Sequence, residues 1–222
     1  ESVNTLIQNR TSATLQLAFS AIFYALLMAF PLGILSAVRK NTFIDRGTLA
    51  FSLLGISVPS FYLGPVLALC FSVWLDWFPL SGKDLPGSLF LPSLTLGLSM
   101  AALLTRMIRA SLLEVLDKDY VRTARAKGVA PFKVIVKHAL RTALIPVIAI
   151  LGLQFGTLLA GAVVTEKIFS WPGIGSLMLD AISKRDYALV QACVILIATT
   201  YVVVNLLTDV VYVFVDPRMR AK

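Results

Sequence analysis

Few side chains in this 222-residue sequence are of types that do chemistry inside an apolar protein. His138 is the only histidine, and the two cysteines, Cys70 and Cys193, each lie within an apolar run. Asp209 is the one carboxylate deep in such a run, with Asn205 one helical turn before it, and Gln154 is an amide in the middle of another. A bound metal needs several imidazole, thiolate or carboxylate ligands at short spacing, which one histidine and two distant cysteines do not supply. Nucleophilic catalysis needs a nucleophile beside a base, and His138 sits in a polar segment outside the apolar runs. No glycine-rich loop ending in lysine is present to cradle phosphates. Asp209 reads either as the partner of an arginine or as a head-group-level residue, and no relay of ionisable groups supports proton transfer through it. No residue set here makes or breaks covalent bonds. What remains is the passage and pairing of polar groups.

The elements that carry these residues are long and apolar. Hydrophobic residues make up 58% of the chain and charged ones 14%, against about 45–50% and about 25% in soluble domains. Five apolar runs, at residues 13–38, 48–74, 89–104, 144–164 and 189–215, read as membrane-crossing helices, for which about 20 residues suffice. Residues 1–12 form an amphipathic lead-in with Val3, Leu6 and Ile7 on one side. Pro31 and Gly33 predict a kink late in the first run. In the second, Gly55, Ser57, Pro59, Ser60, Gly64 and Pro65 predict a broken helix, whose small residues either line a passage or let helices touch. Trp74, Trp77 and Phe78 mark a membrane–water boundary. Ser99 lies in the third run. In the fourth, Gly152, Gly156, Ala160 and Gly161 form a small-residue stripe around Gln154 and Thr157. Gln154 is either a passage residue or an interhelix hydrogen-bond partner.

A basic interruption at residues 114–146 organises the chain. Leu113, Leu116, Tyr120 and Ala124 recur at helical spacing up to Gly128, which supplies the left-handed position that stops a helix. Pro131 suits the first turn of a second helix, with Phe132, Ile135, Val136 and Ala139 as its apolar stripe and Lys133, Lys137 and Arg141 on another face. The two helices read as a rigid lever outside the membrane. Of the 20 lysines and arginines, all but Arg10, Lys83, Lys167, Lys184 and Arg185 fall in the 39–46 loop, the stretch 106–141 that contains the lever, or the tail. The positive-inside bias therefore places those three segments in the cytoplasm. The +8 net charge does not indicate nucleic-acid binding, because it is spread over separate loops without interleaved stacking aromatics.

Four segments carry a family resemblance. YVRTARAKG at 120–128, HALRTALIPV at 138–147, TEKIFSWPGIG at 165–175 and DPRMR at 216–220 are similar to the inner-membrane permease subunits of binding-protein-dependent ABC importers, in the dipeptide, oligopeptide and nickel branch. The family's general loop pattern is Glu-Ala-Ala, three residues, Gly, nine residues and Ile-x-Leu-Pro. Aligned on Gly128, it puts Arg122, Thr123 and Ala124 at Glu-Ala-Ala and residues 138–141 at the end, so only Ala124, Gly128 and Leu140 fit. The branch segments match along nearly the whole chain.

The resemblance implies an all-α polytopic fold of the type I importer class. It implies one domain over 1–222, with five spans here and a sixth, with an external segment, upstream. It implies a permease subunit that forms half of a pathway for peptide uptake; nickel or glutathione import by the same architecture, or an ion-coupled transporter, are the alternatives. The coupling region is then 114–142, with Arg122, Thr123, Ala124, Arg125, Ala126, Lys127 and Gly128 meeting an ATPase. The pathway residues are Ser57, Ser60, Ser99, Gln154 and Thr157. The external loop with a short helix is 165–187, in which Phe169, Trp171, Pro172 and Gly173 form a gate or binding-protein contact. Trp171, Pro172 and Gly173 read as a turn, with Gly173 and Gly175 permitting unusual backbone angles, and Ile174, Leu177, Met178 and Ile182 as the stripe of the helix after it. The chain itself holds no cofactor, metal or catalytic site. ATP and magnesium are bound by two cytosolic ATPase subunits, alongside a homologous second permease, an external binding protein and membrane lipid. The expected location is the bacterial plasma (inner) membrane, the chain's start outside and its C-terminus cytoplasmic.

Single cysteines test this orientation. Lys184→Cys should react with an impermeant thiol reagent in intact cells and Lys127→Cys only after permeabilisation; labelling at 127 in intact cells would invert the assignment.

Overall fold

The computed structural model describes residues 3–215, except for the side chains of residues 3–5, 9, 157, 160, 161 and 212–215. Among the described residues the chain is helical throughout its regular structure, with no strand. The elements are α1 (Val3–Val38), α2 (Phe43–Ser57), α3 (Ser60–Ala68) with a π-helical continuation (Leu69–Trp74), and α4 (Phe90–Leu116). Then come α5 (Asp119–Ala126), α6 (Pro131–Lys133) with a second π-helical segment (Val134–Ala139), α7 (Leu140–Ile168), α8 (Ile174–Ser183) and α9 (Tyr187–Val215). Four helices are long and apolar enough to cross a membrane, or five if the bent α2–α3 pair counts as one span.

The most extensive contact is between α1 and α4. On α1, Ala13, Leu17, Ala21, Ala25, Ala29, Gly33 and Ala37 recur at every fourth residue and are all buried. Such a row is one helical ridge, and its small side chains let a second backbone come close. On α4, a Cβ added to Gly97 would stand 2.7 Å from the Ala21 carbonyl oxygen, and one added to Gly33 would stand 2.8 Å from Ile108. Phe19, Phe23, Leu27 and Leu35 follow the opposite side of α1 and are exposed, as suits a helix with lipid on its far face. α1 begins at Val3, so the polar lead-in is the same helix as the first span, and it runs through Pro31 without interruption. Gly33 serves the approach of Ile108.

The second span breaks where its prolines demand. Val58, forced out of helical geometry by the following proline, is extended, and so is Pro59. The helices on either side are bent by 107°. The glycines here serve close contact: Gly55 faces Ala102, and Gly64 lies against Thr95 and Phe169.

The lever departs from the expected stripes. α4 stops at Leu116, and α5 starts afresh after the extended Lys118. The apolar phase resets at that break, so Val121 is buried and Tyr120 is exposed. In the second half, Val134 and Ala139 are buried while Phe132 and Val136 are exposed. The buried pair is five residues apart, the interval of the i→i+5 hydrogen bond that defines the π-helical turn holding them. A stripe drawn at α-helical spacing misses that register.

α7 and α9 pack through the small-residue stripe. A Cβ on Gly152 would overlap Thr208, and one on Gly156 would overlap the Tyr201 ring. Gly156→Leu should therefore destabilise the purified protein by about 1–3 kcal/mol, read as a lowered unfolding midpoint in detergent, and Tyr201→Ala should restore part of the loss. An unchanged midpoint in the single variant would show that the two helices do not pack this way.

Candidate functional site

The polar groups gather at the two ends of the bundle. At the first end the lever stands on an apolar footing. Val121, Val134 and Ala139 are buried with Leu112 and Val115 of α4, Ala37 of α1 and Ala143 of α7. Above that footing Arg122, Thr123, Arg125, Ala126, Lys127 and Gly128 are exposed, and Ala124 is half-buried. Gly128 has φ +75°, the left-handed conformation that costs another residue about 1–2 kcal/mol, and its N–H donates to the Arg125 carbonyl to close α5. Open space surrounds the position of its missing side chain. Lys118 pairs with Glu114 at 3.1 Å and Arg122 lies 3.9 Å from Asp119; both pairs are exposed and contribute little. Arg125, Lys127, Lys133, Lys137 and Arg141 are also exposed, so the lever presents a cationic surface on a rigid base.

Beneath the lever is an ion pair that the charge pattern did not single out. Arg109 of α4 donates from Nε and a terminal nitrogen to the two oxygens of Asp45, at 2.6 and 2.8 Å. Asp45 also accepts from the Ser36 hydroxyl on α1 and from the Asn41 N–H. The pair is largely buried and joins α1, α2 and α4 where α4 leads into α5. Its sequence signal was slight: one acid in an otherwise basic loop.

At the other end Arg10, Lys83 and Lys167 come together around Trp171. The Lys83 ammonium lies 6.0 Å from the Trp171 ring centre, and the Gly82 N–H donates to the Phe169 carbonyl. Phe169, Trp171 and Gly173 are buried and Pro172 is half-buried, so these residues hold the loop from inside while Ser170 is exposed. The turn at Trp171-Pro172-Gly173 forms as expected, with Gly173 extended at φ −102°, ψ −177°. Gly173 is needed for space, because a Cβ there would overlap the Glu166 carboxylate, and one on Gly175 would stand 2.5 Å from the Val163 backbone. On α8 the buried stripe is Ile174, Leu177 and Ala181; Met178 is half-buried and Ile182 exposed. Glu166 was not singled out in the sequence, and it is fully buried. Burial pushes its carboxyl above the usual range, opposed by hydrogen bonds from Thr14 and two backbone N–H groups and by the charge of Arg10. Lys167 donates to Asp180 at 2.9 Å, which holds that carboxyl below its ordinary value.

The five passage residues are dispersed. Ser57 is exposed at the end of α2, and Ser60 starts α3 half-buried across the proline break. Ser99 of α4 and Gln154 of α7 are half-buried; Thr157 lies on α7, its side chain outside the described residues. Two apolar grooves flank α7 and α9, of about 300 and about 560 Å³, and a polar cavity of about 200 Å³ lies among Arg10, Glu166, Lys167 and Asp180. None of the four described passage residues lines these three. Asp209 is exposed on α9. Cys193 is buried between α8 and α9, and Cys70 is half-buried on the π-helical turn after α3. Among the described residues no three His, Cys, Asp or Glu side chains come together as a metal site would require. The basic tail lies outside the described residues.

Comparison with known proteins adds three findings. Residues 29–221 match the family model described as binding-protein-dependent transport system inner membrane component. The glutathione transport system permease protein GsiC of Escherichia coli strain K12 is 44% identical over 216 residues, which is 97% of this chain and 71% of that protein. The protein of the same name in Salmonella choleraesuis strain SC-B67 is 44% identical over 99% of this chain and 72% of its own. Among solved structures, the MetNI methionine ABC transporter in inward-facing conformations superposes with a TM-score of 0.81 over 95% of this chain and 96% of that one, at 18% identity. An amino acid ABC transporter crystallised with histidines gives 0.70 over 97% and 94%, also at 18% identity. Identity this low shows a shared fold.

The buried pair beneath the lever is testable without any transport assay. Asp45→Ala strands the Arg109 guanidinium and should cost about 3–5 kcal/mol, seen as a lower unfolding midpoint. Asp45→Ala with Arg109→Ala should cost less than the two single losses together; strictly additive losses would show that the groups do not interact.

Proposed function

Since the chain belongs to the family of binding-protein-dependent transport system inner membrane components, and is with it a multi-pass permease subunit of an ABC importer, we propose that it forms half of a passage for a small peptide, with glutathione as the first candidate. The lever is the contact through which ATP hydrolysis on separate cytosolic subunits drives that passage. The lever's geometry carries the coupling part of the reading. Arg122, Thr123 and Arg125 to Gly128 are exposed, while Ala124 packs half-buried on the footing through which Val121 and Val134 fix them to α4 and α7 from below. A helix end inserted in a partner's groove transmits domain closure as a rigid-body push. The partners are two ATPases, which bind ATP and magnesium, a second homologous permease and an external binding protein. In this arrangement the lever end is cytoplasmic and the Trp171 loop is external.

The substrate reading rests on likeness to the glutathione permeases at 44% identity over 97% of the chain, together with the chemistry of the passage residues. Ser57, Ser60, Ser99, Gln154 and Thr157 are uncharged donors and acceptors, able to meet a peptide backbone in many registers. A lone nickel ion prefers imidazole or thiolate ligands, and His138 lies at the lever while Cys70 and Cys193 sit on separate elements. The dispersion of the passage residues fits a half-passage that a second permease completes. Selectivity then resides mainly in the binding protein.

Ala124→Trp and Gly128→Val should each separate ATP hydrolysis from uptake or prevent ATPase co-purification, while the spans still insert. In proteoliposomes with the cognate binding protein, the wild type should import glutathione with ATP and no ion gradient. Normal uptake in both variants would remove the lever assignment, and uptake of free nickel in place of peptide would remove the substrate assignment.

A further inference from the structure

The first turn of a helix leaves backbone N–H groups without partners, and a Ser, Thr, Asp or Asn at the cap position usually takes one of them. α8 has glycine there, and so no side chain of its own to cap it. Its donors are met instead from two other helices. The Ile174 N–H donates to the Thr14 hydroxyl of α1 at 2.8 Å. The Ser176 N–H donates to Oε2 of Glu166, at the end of α7, at 2.9 Å, and the Gly175 N–H also bonds to that carboxyl. The Thr14 hydroxyl in turn donates to Oε1 of Glu166 at 2.6 Å. One residue earlier on α1, the Ala13 carbonyl accepts from the Trp171 indole N–H at 2.8 Å.

This arrangement is expensive as a mere cap. Enclosing a carboxyl costs several kcal/mol unless its hydrogen bonds are made, and a serine or asparagine at position 173 would cap α8 locally. Gly173 and Gly175 instead leave the room that Glu166 fills. What the carboxyl achieves, and a local cap would not, is a joint that ties α7 and α8 to α1, 152 positions away in sequence. Around it stand Arg10 on α1, Lys167 on α7 and Asp180 on α8; the exposed Lys167–Asp180 pair adds a second, weaker tie.

We propose that Glu166 is a positioning residue that makes the outer part of α1, the outer end of α7 and α8 move as one body when the passage changes state. This rests on the permease reading above. Through α1, whose ridge packs along α4, a displacement of the external loop is then carried along the bundle toward the lever.

Cys193 supplies a native reporter, being fully buried with Ile174, Leu177 and Ala181 of α8. In the assembled complex carrying Cys70→Ser, Cys193 should react slowly with N-ethylmaleimide. Glu166→Ala should quicken that reaction by about tenfold or more as α8 loosens. Glu166→Gln should not, since its amide oxygen can accept the α8 N–H groups and its amide nitrogen can donate to Thr14. The transport readout is the stimulation of ATP hydrolysis by the loaded binding protein. It should be lost in Glu166→Ala, weakened in Thr14→Val and retained in Glu166→Gln, with unstimulated hydrolysis unchanged. Should Glu166→Ala fail to assemble, Thr14→Val, which keeps the side-chain shape, carries both readouts. Unchanged Cys193 reactivity and stimulation in Glu166→Ala, or in Thr14→Val where that variant stands in, overturns the joint. So does a thiol crosslink between Arg10→Cys and Asp180→Cys that blocks uptake, because it would show that α1 and α8 must part. The Cys193 reaction needs no transport, so an inactive wild-type complex would count against the permease reading alone.

Discussion

Close approach of the α1 and α4 backbones is the constraint on which the rest depends. Between helices in lipid there is little hydrophobic driving force, and association relies on van der Waals packing. Six alanines and glycines in the seven-position ridge, with Leu17 the exception, bring α4 near enough for Gly97 to meet the Ala21 carbonyl. A large side chain at these positions would separate the helices that everything else is fastened to. α2 leans on α4 through Gly55 and Ala102, and α7 packs on α4 as well.

Polar ties then fix α1 near both ends of its apolar run. At one, Ser36 hydrogen-bonds to Asp45, which Arg109 of α4 grips with two nitrogens. At the other, Thr14 and the Ala13 carbonyl hold Glu166, α8 and Trp171. Buried ionisable groups are poor sources of net stability, because desolvation offsets most of their attraction. Their contribution here is to set which helices stay together. Both ties sit near the ends of the spans, where a change outside the membrane first meets the bundle.

The lever has the opposite design. Its inward residues are few and apolar, and its outward ones are cationic and unencumbered. Five-residue spacing in the π-helical segment lets Val134 and Ala139 face the same footing as Val121 and Leu112. The result is a short extension of α4 and α7 seated on an apolar footing, a shape that suits the mechanical contact proposed above.

Local chemistry was legible before any folding was considered. Hydropathy located each long helix, although α1 starts well before its apolar run and α4 continues well beyond its own; Pro59 broke the second span because proline restricts its own neighbours, and Gly128 took the left-handed turn that only its missing side chain makes easy. These outcomes depend on residues adjacent in the chain. The fold decided the rest. Val121 replaced Tyr120 on the buried face because a helix break reset the phase, and Gly173 proved to be a matter of space, its backbone being ordinary. Likewise Gly152 and Gly156 received Thr208 and Tyr201 of α9, while Asp45 met Arg109 and Glu166 met Thr14 across 64 and 152 positions of sequence. A carboxylate within an unfolded string carries no sign of which distant hydroxyl or guanidinium will satisfy it. That choice is made only when packed helices bring one donor within reach and shut water out.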